Sequence, residues 1–359
     1  MVGLPRIVGR APDWLLDWHG DGVITRSASP EVIDLLRRKK LPAINLTDVR
    51  DNRELPRVWV DHAATGRTAA QHLLERGFRN FGYCGFGNHD WSRRREAGFR
   101  AALPGDYSFS AFNSDWGGAL EPSWDQRQTA LEKWLATLPK PAGIMACNDM
   151  RGQHLLDACR RAELSVPEEI AVIGVDNDEL LCGLCDPPLS SVDVNPRRVG
   201  FEAARMLDAL MDGEKLPSEE LLIEPLGAIS RLSTDVLAID NPEIATALRT
   251  IRRQACDGLS VAELMRQTKL SRGALERLFR KYLRRSPQQV IRTTRLKRVK
   301  ELLTATGLPL AEIAEMTGFR HNEYLSVVFK REFGETPGDY RRRAKPQRET
   351  DSPPRKAKK

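Results

Sequence analysis

The sequence predicts an α/β domain followed by an all-α domain that contains two copies of one helical unit. Through the first two thirds of the 359 residues, short apolar runs alternate with amphipathic stretches, whereas the last third repeats one short pattern. Alternation of this kind is typical of parallel β-α-β units. We therefore expect a first domain at 1–238, a helical domain at 239–343 and a basic, disordered tail at 344–359.

The charge of the chain divides in the same place. Residues 243–359 contain 28 Lys and Arg and 13 Asp and Glu, which gives a net charge of +15. Residues 1–242 contain 28 Lys and Arg and 36 Asp and Glu, which gives a net charge of −8. A strongly basic module joined to an acidic one indicates a polyanion partner for the basic part. The alternative is a basic, solvated surface that has no partner.

Composition disfavours membrane, secreted and metal-binding proteins. The chain has no run of roughly 18 apolar residues, and its N-terminal segment "MVGLPRIVGR" has no apolar signal core. The six cysteines are scattered, as in cytoplasmic proteins with reduced thiols. Cys182 and Cys185 have the spacing of half a zinc site or of a redox dithiol, but no second pair or histidine lies near them. We expect two packed thiols there, no metal and no cofactor.

The α/β prediction rests on apolar runs that are separated by helical patterns. The expected strands are "GVITR", "LPAINL", "NFGYCGF", "AGIMACND" and "IAVIGVDND". The expected helices are "TGRTAAQHLLERG", "REAGFRAAL", "DQRQTALEKWLATL" and "DMRGQHLLDACRRAE". Strands that alternate with helices in this way form a parallel sheet with helices on its faces.

Polar residues follow the expected strands, where an open α/β sheet binds ligands. Asn148 and Asp149 follow one strand, and Asp176 follows the next. Carboxylate and amide groups in these places can form hydrogen bonds with a polyol. Arg95 would add a bidentate hydrogen-bond donor, and Trp91 would add an aromatic face for a sugar ring. The alternative is that the acidic residues at these strand ends are only helix N-caps.

Four segments of this part resemble a known family. "WSRRREAGF", "ACND", "VPEEIAVIGVDND" and "PPLSSVDVN" are similar to the sugar-binding domain of LacI-type repressors and periplasmic binding proteins. The resemblance implies two α/β lobes hinged around a small ligand, which Arg95, Asn148 and Asp176 would contact.

The start of the chain departs from that family. A lobe of this type opens with a central strand and a long helix, but after "PRIVG" the sequence matches the family only from its second strand onward. An absent inner strand would leave backbone groups unpaired, at about 1–3 kcal/mol for each buried group. We expect either a start further upstream or an incomplete lobe. In the second case the chain would be a constitutive regulator with a non-functional sensor.

The last third contains an internal repeat. "VAELMRQTKL" (261–270) aligns with "LAEIAEMTGF" (310–319), and "LERLFRKYLRRSP" aligns with "LSVVFKREFGETP". Each copy predicts a short helix, a tight turn and a second helix with apolar residues at i, i+3 and i+4. Gly318 supplies the turn of the second copy, and Ser271 is the expected N-cap in the first. Between the copies, "PQQVIRTTRLKRVKELL" predicts a long helix that holds the two units at a set distance.

A short helix, turn and helix with a basic outer face fits the major groove of DNA. The segment "LAEIAEMTGFRHNEYLSVVFKREFGETPGDYRRR" resembles the second unit of the AraC-type DNA-binding domain. Fusion of such a domain to a LacI-type sugar domain resembles the xylose operon regulators of the XylR type. The resemblance implies a dimeric transcription regulator, commonly an activator, with double-stranded DNA, RNA polymerase and a small sugar effector as partners.

The resemblance also carries over the residues that contact DNA. In the first unit they are Arg272, Gly273, Glu276, Arg277 and Arg280; in the second they are His321, Asn322, Glu323, Ser326, Val327 and Lys330. Arg277 suits the O6 and N7 atoms of guanine, and Glu276 would accept from cytosine or remain a solvated surface residue. Arg280 and Lys330 suit phosphate, whereas Val327 cannot donate to a base.

An enzyme fused to a DNA-binding module is the competing class of protein. The first domain has no phosphate-cradling glycine loop, no Gly-x-Ser-x-Gly elbow and no cluster with metal-ligand spacing. No histidine or aspartate is assigned as the partner of a nucleophile. We therefore expect no enzymatic activity.

Overall fold

The computed structural model describes residues 17–26, 29–46, 55–115, 123–216, 220–236 and 241–344. The "PRIVG" segment and the basic tail from residue 345 onward lie outside these residues. The chain divides into two compact units, residues 1–245 with 281–284 and residues 246–280 with 285–359. Among the described residues, no helix is both long enough and apolar enough to cross a membrane.

The first unit contains two sheets, as a two-lobe α/β domain requires. The smaller sheet has the parallel order β1-β2-β3-β9 and consists of β1 (Val23–Thr25), β2 (Ala43–Asn45), β3 (Arg57–Val60) and β9 (Glu220–Ile223). The larger sheet consists of β4 (Asn80–Phe86), β5 (Ser108–Ser114), β6 (Ala142–Ala146), β7 (Ile170–Val175), β8 (Ser190–Asp193) and β10 (Gly227–Ile229). Its order is β10-β8-β7-β6-β4-β5, and only β10 is antiparallel to its neighbour. The fold-class prediction is confirmed.

The central strands of the larger sheet, β4, β6 and β7, are buried because helices cover both faces. Every residue of β6 and β7 is buried, and so is every residue of β4 after Asn80. Continuous apolar runs are what strands of such a sheet require. The runs "NFGYCGF", "AGIMA" and "IAVIGV" therefore form the central strands, as the sequence predicts.

Seven described helices accompany these strands. They are α1 (Pro30–Arg38), α2 (His62–Leu74), α3 (Asp90–Ala101), α4 (Trp124–Thr137), α5 (Asp149–Arg161), α6 (Glu179–Leu184) and α7 (Pro196–Met211). Six of them begin after a side chain that accepts a hydrogen bond from a backbone amide of the first turn. These N-caps are Ser29, Asp61, Ser123, Asn148, Asp178 and Asn195.

The described strands of the smaller sheet form one continuous series of paired neighbours. In the described residues β1 pairs with β2 along its whole length, from Val23 opposite Ala43 to Thr25 opposite Asn45. The pairing continues from β2 to β3 and from β3 to β9. Since neighbouring strands hydrogen-bond directly, the interior strands have a partner on each side, which avoids the cost of unpaired backbone groups.

The chain passes between the two sheets three times within the described residues, after β3, after β8 and after β9. Two backbone hydrogen bonds join these passages. The amide of Asp61 donates to the carbonyl of Ile223 at 2.8 Å, and the amide of Leu226 donates to the carbonyl of Asp193 at 2.9 Å. The passages therefore run side by side and form a hinge between the lobes.

The C-terminal third is helical throughout its described residues, apart from short turns. Its helices are α8 (Pro242–Gln254), α9 (Val261–Thr268), α10 (Arg272–Leu283), α11 (Pro287–Ala305), α12 (Leu310–Met316), α13 (Asn322–Phe333) and α14 (Pro337–Ala344). The pairs α9–α10 and α12–α13 are the two predicted helix-turn-helix units. The long linking helix α11 contributes Leu296, Val299 and Leu303 to the core of the second unit.

The two copies share backbone conformation as well as sequence. Lys269 and Gly318, which the alignment matches, both adopt left-handed backbone angles, with φ of 56° and 72°. The preceding Thr268 and Thr317 each donate a hydroxyl hydrogen bond to the carbonyl four residues earlier, at 2.7 and 2.6 Å. The sequence repeat is therefore a structural repeat down to its turn.

Candidate functional site

Arg95 lies at the centre of a polar cluster at the C-terminal edge of the larger sheet. The residue is 5% exposed; its Nε donates to Nδ1 of His62 at 3.3 Å and its Nη2 to Oδ1 of Asp176 at 3.2 Å. Its Nη1 donates to the carbonyl of Cys147. The guanidinium carbon lies 5.0 Å from the centre of the Trp91 ring. The structure thus brings together three predicted ligand residues, namely Trp91, Arg95 and Asp176.

A close crossing of α2 and α3 holds this cluster in place. A Cβ atom at Gly66 would lie 2.2 Å from the carbonyl oxygen of Arg95, and one at Gly98 would lie 2.2 Å from that of Ala63. Only glycine allows the two helices to approach so closely. The crossing sets the first turn of α2, which carries His62, beside the guanidinium of Arg95.

His62 is a member of the cluster that the sequence analysis missed. Burial, together with the positive charges of Arg95 and Arg94, lowers its pKa to about 2. A neutral imidazole results, whose Nδ1 accepts the hydrogen bond from Arg95. His62 follows β3, a strand that the sequence analysis did not identify. Recognition of "RVWV" as a strand would have marked His62 as another polar residue at a strand end.

Asp176 presents a carboxylate from a strained loop after β7. Its φ of 106° is unusual for a residue other than glycine, and Asn177 beside it also has a positive φ, of 52°. Half of the Asp176 side chain is open to solvent, at 49%. The surrounding protein nevertheless raises the pKa of Asp176, while the charge of Arg95 opposes this shift. The Asp176 carboxylate is therefore accessible to solvent while it pairs with Arg95.

Asn148 and Asp149 play different parts, although they are adjacent. Asn148 caps α5, with its Oδ1 accepting from the amide of Arg151 at 2.8 Å. Asp149 is 2% exposed, and its carboxylate accepts from the Ser191 hydroxyl at 2.6 Å and from the Asp178 amide at 2.9 Å. Burial raises the pKa of Asp149 to about 6. These bonds tie the loop after β7 to β8, so they favour a positioning role for Asp149 over the direct ligand contact that we expected.

Arg151 is a second buried arginine, and the sequence analysis missed it too. The residue is 2% exposed, its Nη2 donates to the Ser114 hydroxyl at 2.8 Å, and its Nε has no hydrogen-bond partner. The guanidinium carbon of Arg151 lies 4.9 Å from the centre of the Phe86 ring. The centres of the Phe86 and Trp91 rings lie 6.2 Å apart. No carboxylate of the described residues pairs with Arg151. A buried cation with spare donor capacity between Phe86 and Phe112 is a candidate ligand contact.

The thiols of Cys182 and Cys185 are packed into the protein. Burial raises the pKa of Cys182 to about 12 and that of Cys185 to about 11. Both side chains therefore remain protonated at neutral pH, whereas redox chemistry and metal binding require the thiolate. Their surroundings fit the packed pair that the sequence predicts.

The predicted DNA-contacting residues of the first helix-turn-helix unit all lie on the exposed face of α10. Arg272, Gly273, Glu276, Arg277 and Arg280 are exposed, while Leu275 and Phe279 on the opposite face are fully buried. Nε of Arg272 pairs with Oε1 of Glu276 at 3.2 Å. This pairing partly neutralises Glu276 in the free protein and favours a surface role for it over a cytosine contact.

The predicted face of α13 is less uniform. His321, Glu323, Val327 and Lys330 are exposed, whereas Asn322 and Ser326 are half-buried. The Ser326 hydroxyl donates to the carbonyl of Asn322 at 2.9 Å, one turn earlier in the same helix. Fewer free donors therefore face outward from α13 than from α10.

Comparison with known proteins matches both units. A family model of the periplasmic binding protein-like domain matches residues 70–234, and a helix-turn-helix domain model matches residues 264–343. The xylose operon regulatory protein of Haemophilus influenzae is 31% identical over 89% of this chain and 84% of its own length. The protein of the same name from Escherichia coli is 31% identical over 92% of this chain and 86% of its own.

Solved structures agree with these sequence relatives. The structure of the xylose-binding transcription activator xylR covers 90% of this chain and 87% of its own, with 30% identity and a TM-score of 0.56. A LacI family regulator from Enterococcus faecalis, solved with bound ribose, covers 63% of this chain and 81% of its own, with a TM-score of 0.52. At 22% identity, this second likeness shows the fold alone.

Proposed function

The chain belongs to the family of the xylose operon regulatory proteins and is a sugar-responsive transcription regulator, and we propose that its effector is a xylose-like pentose bound between the two lobes at Arg95. The observation that carries this proposal is the cluster in which Arg95 meets Trp91, His62 and Asp176. A sugar is recognised by planar apolar contact and by converging donors and acceptors. This cluster supplies the planar apolar contact, the hydrogen-bond donors and the hydrogen-bond acceptors.

Each residue of the cluster has a separate role in sugar binding. The Trp91 ring covers one face of the sugar, the guanidinium of Arg95 donates to hydroxyl oxygens, and the carboxylate of Asp176 accepts from hydroxyl groups. Asn148 and the buried Arg151 lie at the same edge of the sheet and add further polar contacts. Asp149 positions the loop that carries Asp176 through its bonds to Ser191 and Asp178.

Ligand binding would act through the hinge between the lobes. A sugar that bridges the lobes binds the closed form more tightly than the open form, so it shifts the population toward closure. The three passages between the sheets concentrate this motion at a few residues. We infer that closure changes how the helix-turn-helix units of a homodimer are presented to DNA.

Double-stranded DNA is bound by both helix-turn-helix units in this proposal. Arg277 reads guanine, and Arg280 and Lys330 contact phosphate. Their full exposure supports these roles, since neither Arg277 nor Arg280 has an ion-pair partner in the part of the chain that the structure describes. We place the sensing domain at 1–238 and the DNA-binding domain at 239–343, which the division into compact units near residue 245 supports.

The partners beyond DNA and sugar are also proposals. An activator of this family would contact RNA polymerase and act in the cytoplasm, where its DNA is. A homodimer is supported by α6, on which Leu180 and Leu184 are each 74% exposed. Two large apolar side chains one helical turn apart are suited to burial against a second copy. We infer no enzymatic activity, since the similar proteins described above are transcription regulators.

Calorimetric titration of the full chain with D-xylose, L-arabinose, D-ribose and D-glucose tests the effector. We expect heat of binding with one pentose and its loss in Arg95→Met, while DNA binding by that variant persists. Heat with none of the four sugars, together with intact DNA binding, would instead show a constitutive regulator. Conversion of a sugar to product would show an enzyme.

A further inference from the structure

The two recognition helices have the same register but present different chemistry. Leu275 and Leu325 are both fully buried, and so are Phe279 and Phe329. Residues fifty positions apart therefore occupy equivalent places on α10 and α13. Val327 accordingly lies where α10 carries Arg277.

Large apolar side chains are exposed on the second unit and not on the first. Within the described residues of the DNA-binding domain, the exposed large hydrophobic side chains are Met316, Tyr324, Val327 and Phe333. All four belong to the second unit. Val327 is 65% exposed and Tyr324 is 57% exposed, and they lie three residues apart, on adjacent positions of the same helix surface.

Two polar side chains close to Val327 already form hydrogen bonds within their own helix. The hydroxyl of Ser326 already donates to the Asn322 carbonyl at 2.9 Å. The side-chain oxygen of Asn322 accepts from the amide of Glu323 at 3.1 Å. Lys330 remains as an exposed cation at the end of this surface, where it suits a phosphate.

We propose that the second unit reads the 5-methyl groups of thymine in the major groove through Val327 and Tyr324, whereas the first unit reads guanine through Arg277. The proposal rests on the proposed DNA-binding function. Among the four bases of DNA, only thymine presents an apolar group in that groove, and contact with it is how an apolar side chain discriminates bases. The operator is then asymmetric, with a guanine-containing segment for α10 and a thymine-containing segment for α13.

Replacement of thymine by uracil tests this directly, because it removes the methyl group and leaves base pairing intact. The full chain would first select a duplex from a random library. Its affinity is then measured with uracil substituted across one half of that duplex and, separately, across the other. We expect a loss of about fourfold for each methyl group that the helix contacts, confined to one half of the site.

Val327→Ala completes a double-mutant cycle with the uracil duplex. On the thymine duplex this variant should lose about as much affinity as the wild type loses on the uracil duplex. Val327→Ala should lose little further affinity when thymine is replaced by uracil, because the substitution has already removed the contact with the methyl group. Val327 is exposed, so the substitution leaves the core intact, and unchanged thermal unfolding checks this. Tyr324→Ser should likewise reduce the sensitivity to uracil.

Arg277→Ala is the matched control at the equivalent position of the first unit. We expect it to lose about tenfold to a hundredfold in affinity, equally on thymine and uracil duplexes, and to remove the effect of 7-deazaguanine. Tight binding without any sensitivity to uracil would overturn the proposal. So would a Val327→Ala variant that binds DNA normally but activates transcription poorly, since that outcome assigns Val327 to a protein contact. If no duplex is selected at all, the DNA-binding function itself fails.

Discussion

Arg95 shows how one side chain organises a buried polar cluster. Its guanidinium donates in three directions, to a neutral imidazole, a backbone carbonyl and the carboxylate of Asp176. Because His62 is uncharged and Asp176 is the partner of Arg95, the trio has nearly balanced charge. In the proposed function, a neutral sugar can then replace water beside this trio without leaving the charge of Arg95 unpaired.

Arg95→Lys should reduce sugar affinity by at least about tenfold. A guanidinium donates hydrogen bonds from three nitrogens in one plane, whereas an ammonium group has a single nitrogen and cannot form the same set of bonds. Isothermal titration calorimetry with the pentose that the wild type binds measures this. Arg93→Lys is the control: Arg93 lies on the same helix with an exposed side chain, so its replacement should leave affinity unchanged. Equal losses in both variants would contradict the role of Arg95.

His62 should make the protein less stable as pH falls. Its pKa is about 2 in the folded state against 6.5 in the unfolded chain, so below pH 6.5 the unfolded state takes up a proton that the folded state does not. The free energy of unfolding therefore falls with decreasing pH, at a rate approaching about 1.4 kcal/mol per pH unit. Above pH 6.5 the His62 contribution is constant.

Urea unfolding between pH 7 and pH 5 in wild type and His62→Gln measures this effect. The variant should lose less stability across that range, because glutamine does not titrate. His154, whose pKa burial lowers to about 4, adds a similar dependence, so His154→Gln separates the two. An unchanged pH dependence in His62→Gln would mean that His62 is protonated in the folded state.

The sequence predicted part of this cleft and missed the rest for identifiable reasons. Asp176 was predicted from its place at a strand end, and Trp91 and Arg95 from the "WSRRREAGF" segment; the structure brings the three together. His62 was missed because the four-residue strand before it was not recognised. Arg151 was missed because an arginine in the first turn of an amphipathic helix is usually exposed, and only packing against Phe86 and Phe112 reveals its burial.

At the scale of elements, the crossing of α2 and α3 determines the shape of the cleft. Gly66 and Gly98 leave no room for a side chain on either helix where they touch. The spacing of three residues between Arg95 and Gly98 therefore has a physical meaning. Arg95 provides the donor, and Gly98, one turn later, allows α3 to approach α2 closely enough for that donor to reach His62.

Gly98→Ala should destabilise the protein by about 1–3 kcal/mol or more, because the added Cβ overlaps the backbone of Ala63 and forces the helices apart. The pentose affinity of the folded fraction should fall as well. Urea unfolding and calorimetry measure the two effects. Gly200→Ala is the matched control, since Gly200 is helical with nothing within 4 Å of an added Cβ. It should stabilise the protein by about 0.5–1 kcal/mol.

The helical elements were easier to predict than the smaller sheet. Repetition allowed one copy to support the other, and Gly318 marked a turn that Lys269 in the first copy does not reveal from its residue type. Strands β1 and β2 have only three residues each. Their direct pairing depends on tertiary contacts, which local pattern does not specify.

At the scale of the whole molecule, the proposed dimer makes a distinct prediction. Leu180→Ser combined with Leu184→Ser should weaken self-association, because the pair is exposed on α6 and suited to burial between copies. Analytical ultracentrifugation measures the shift from dimer to monomer. Leu232→Ser, at a residue 56% exposed elsewhere on the same unit, should leave the association unchanged. Dimers that persist in the double variant would exclude α6 as the interface.

Charge and pattern alone predicted two parts of the chain and a polyanion partner for the second, whereas the sensing role of the first part came from its resemblance to LacI-type sugar-binding domains. A net charge of +15 over residues 243–359 and a net charge of −8 over residues 1–242 distinguish the DNA-binding part of the chain from the sensing part. The choice of sugar was not predictable in this way, since it depends on distances of a few ångströms between residues as far apart in sequence as His62 and Asp176.

The helix between the two DNA-binding units has a consequence for how promoters of this regulator can change. α11 has 19 residues, and at 1.5 Å per residue it is about 28 Å long, close to one turn of DNA at about 34 Å. A rigid spacer of fixed length cannot follow an insertion or deletion between the two halves of an operator. Base substitutions within each half can therefore accumulate gradually, whereas a change of spacing breaks recognition in a single step.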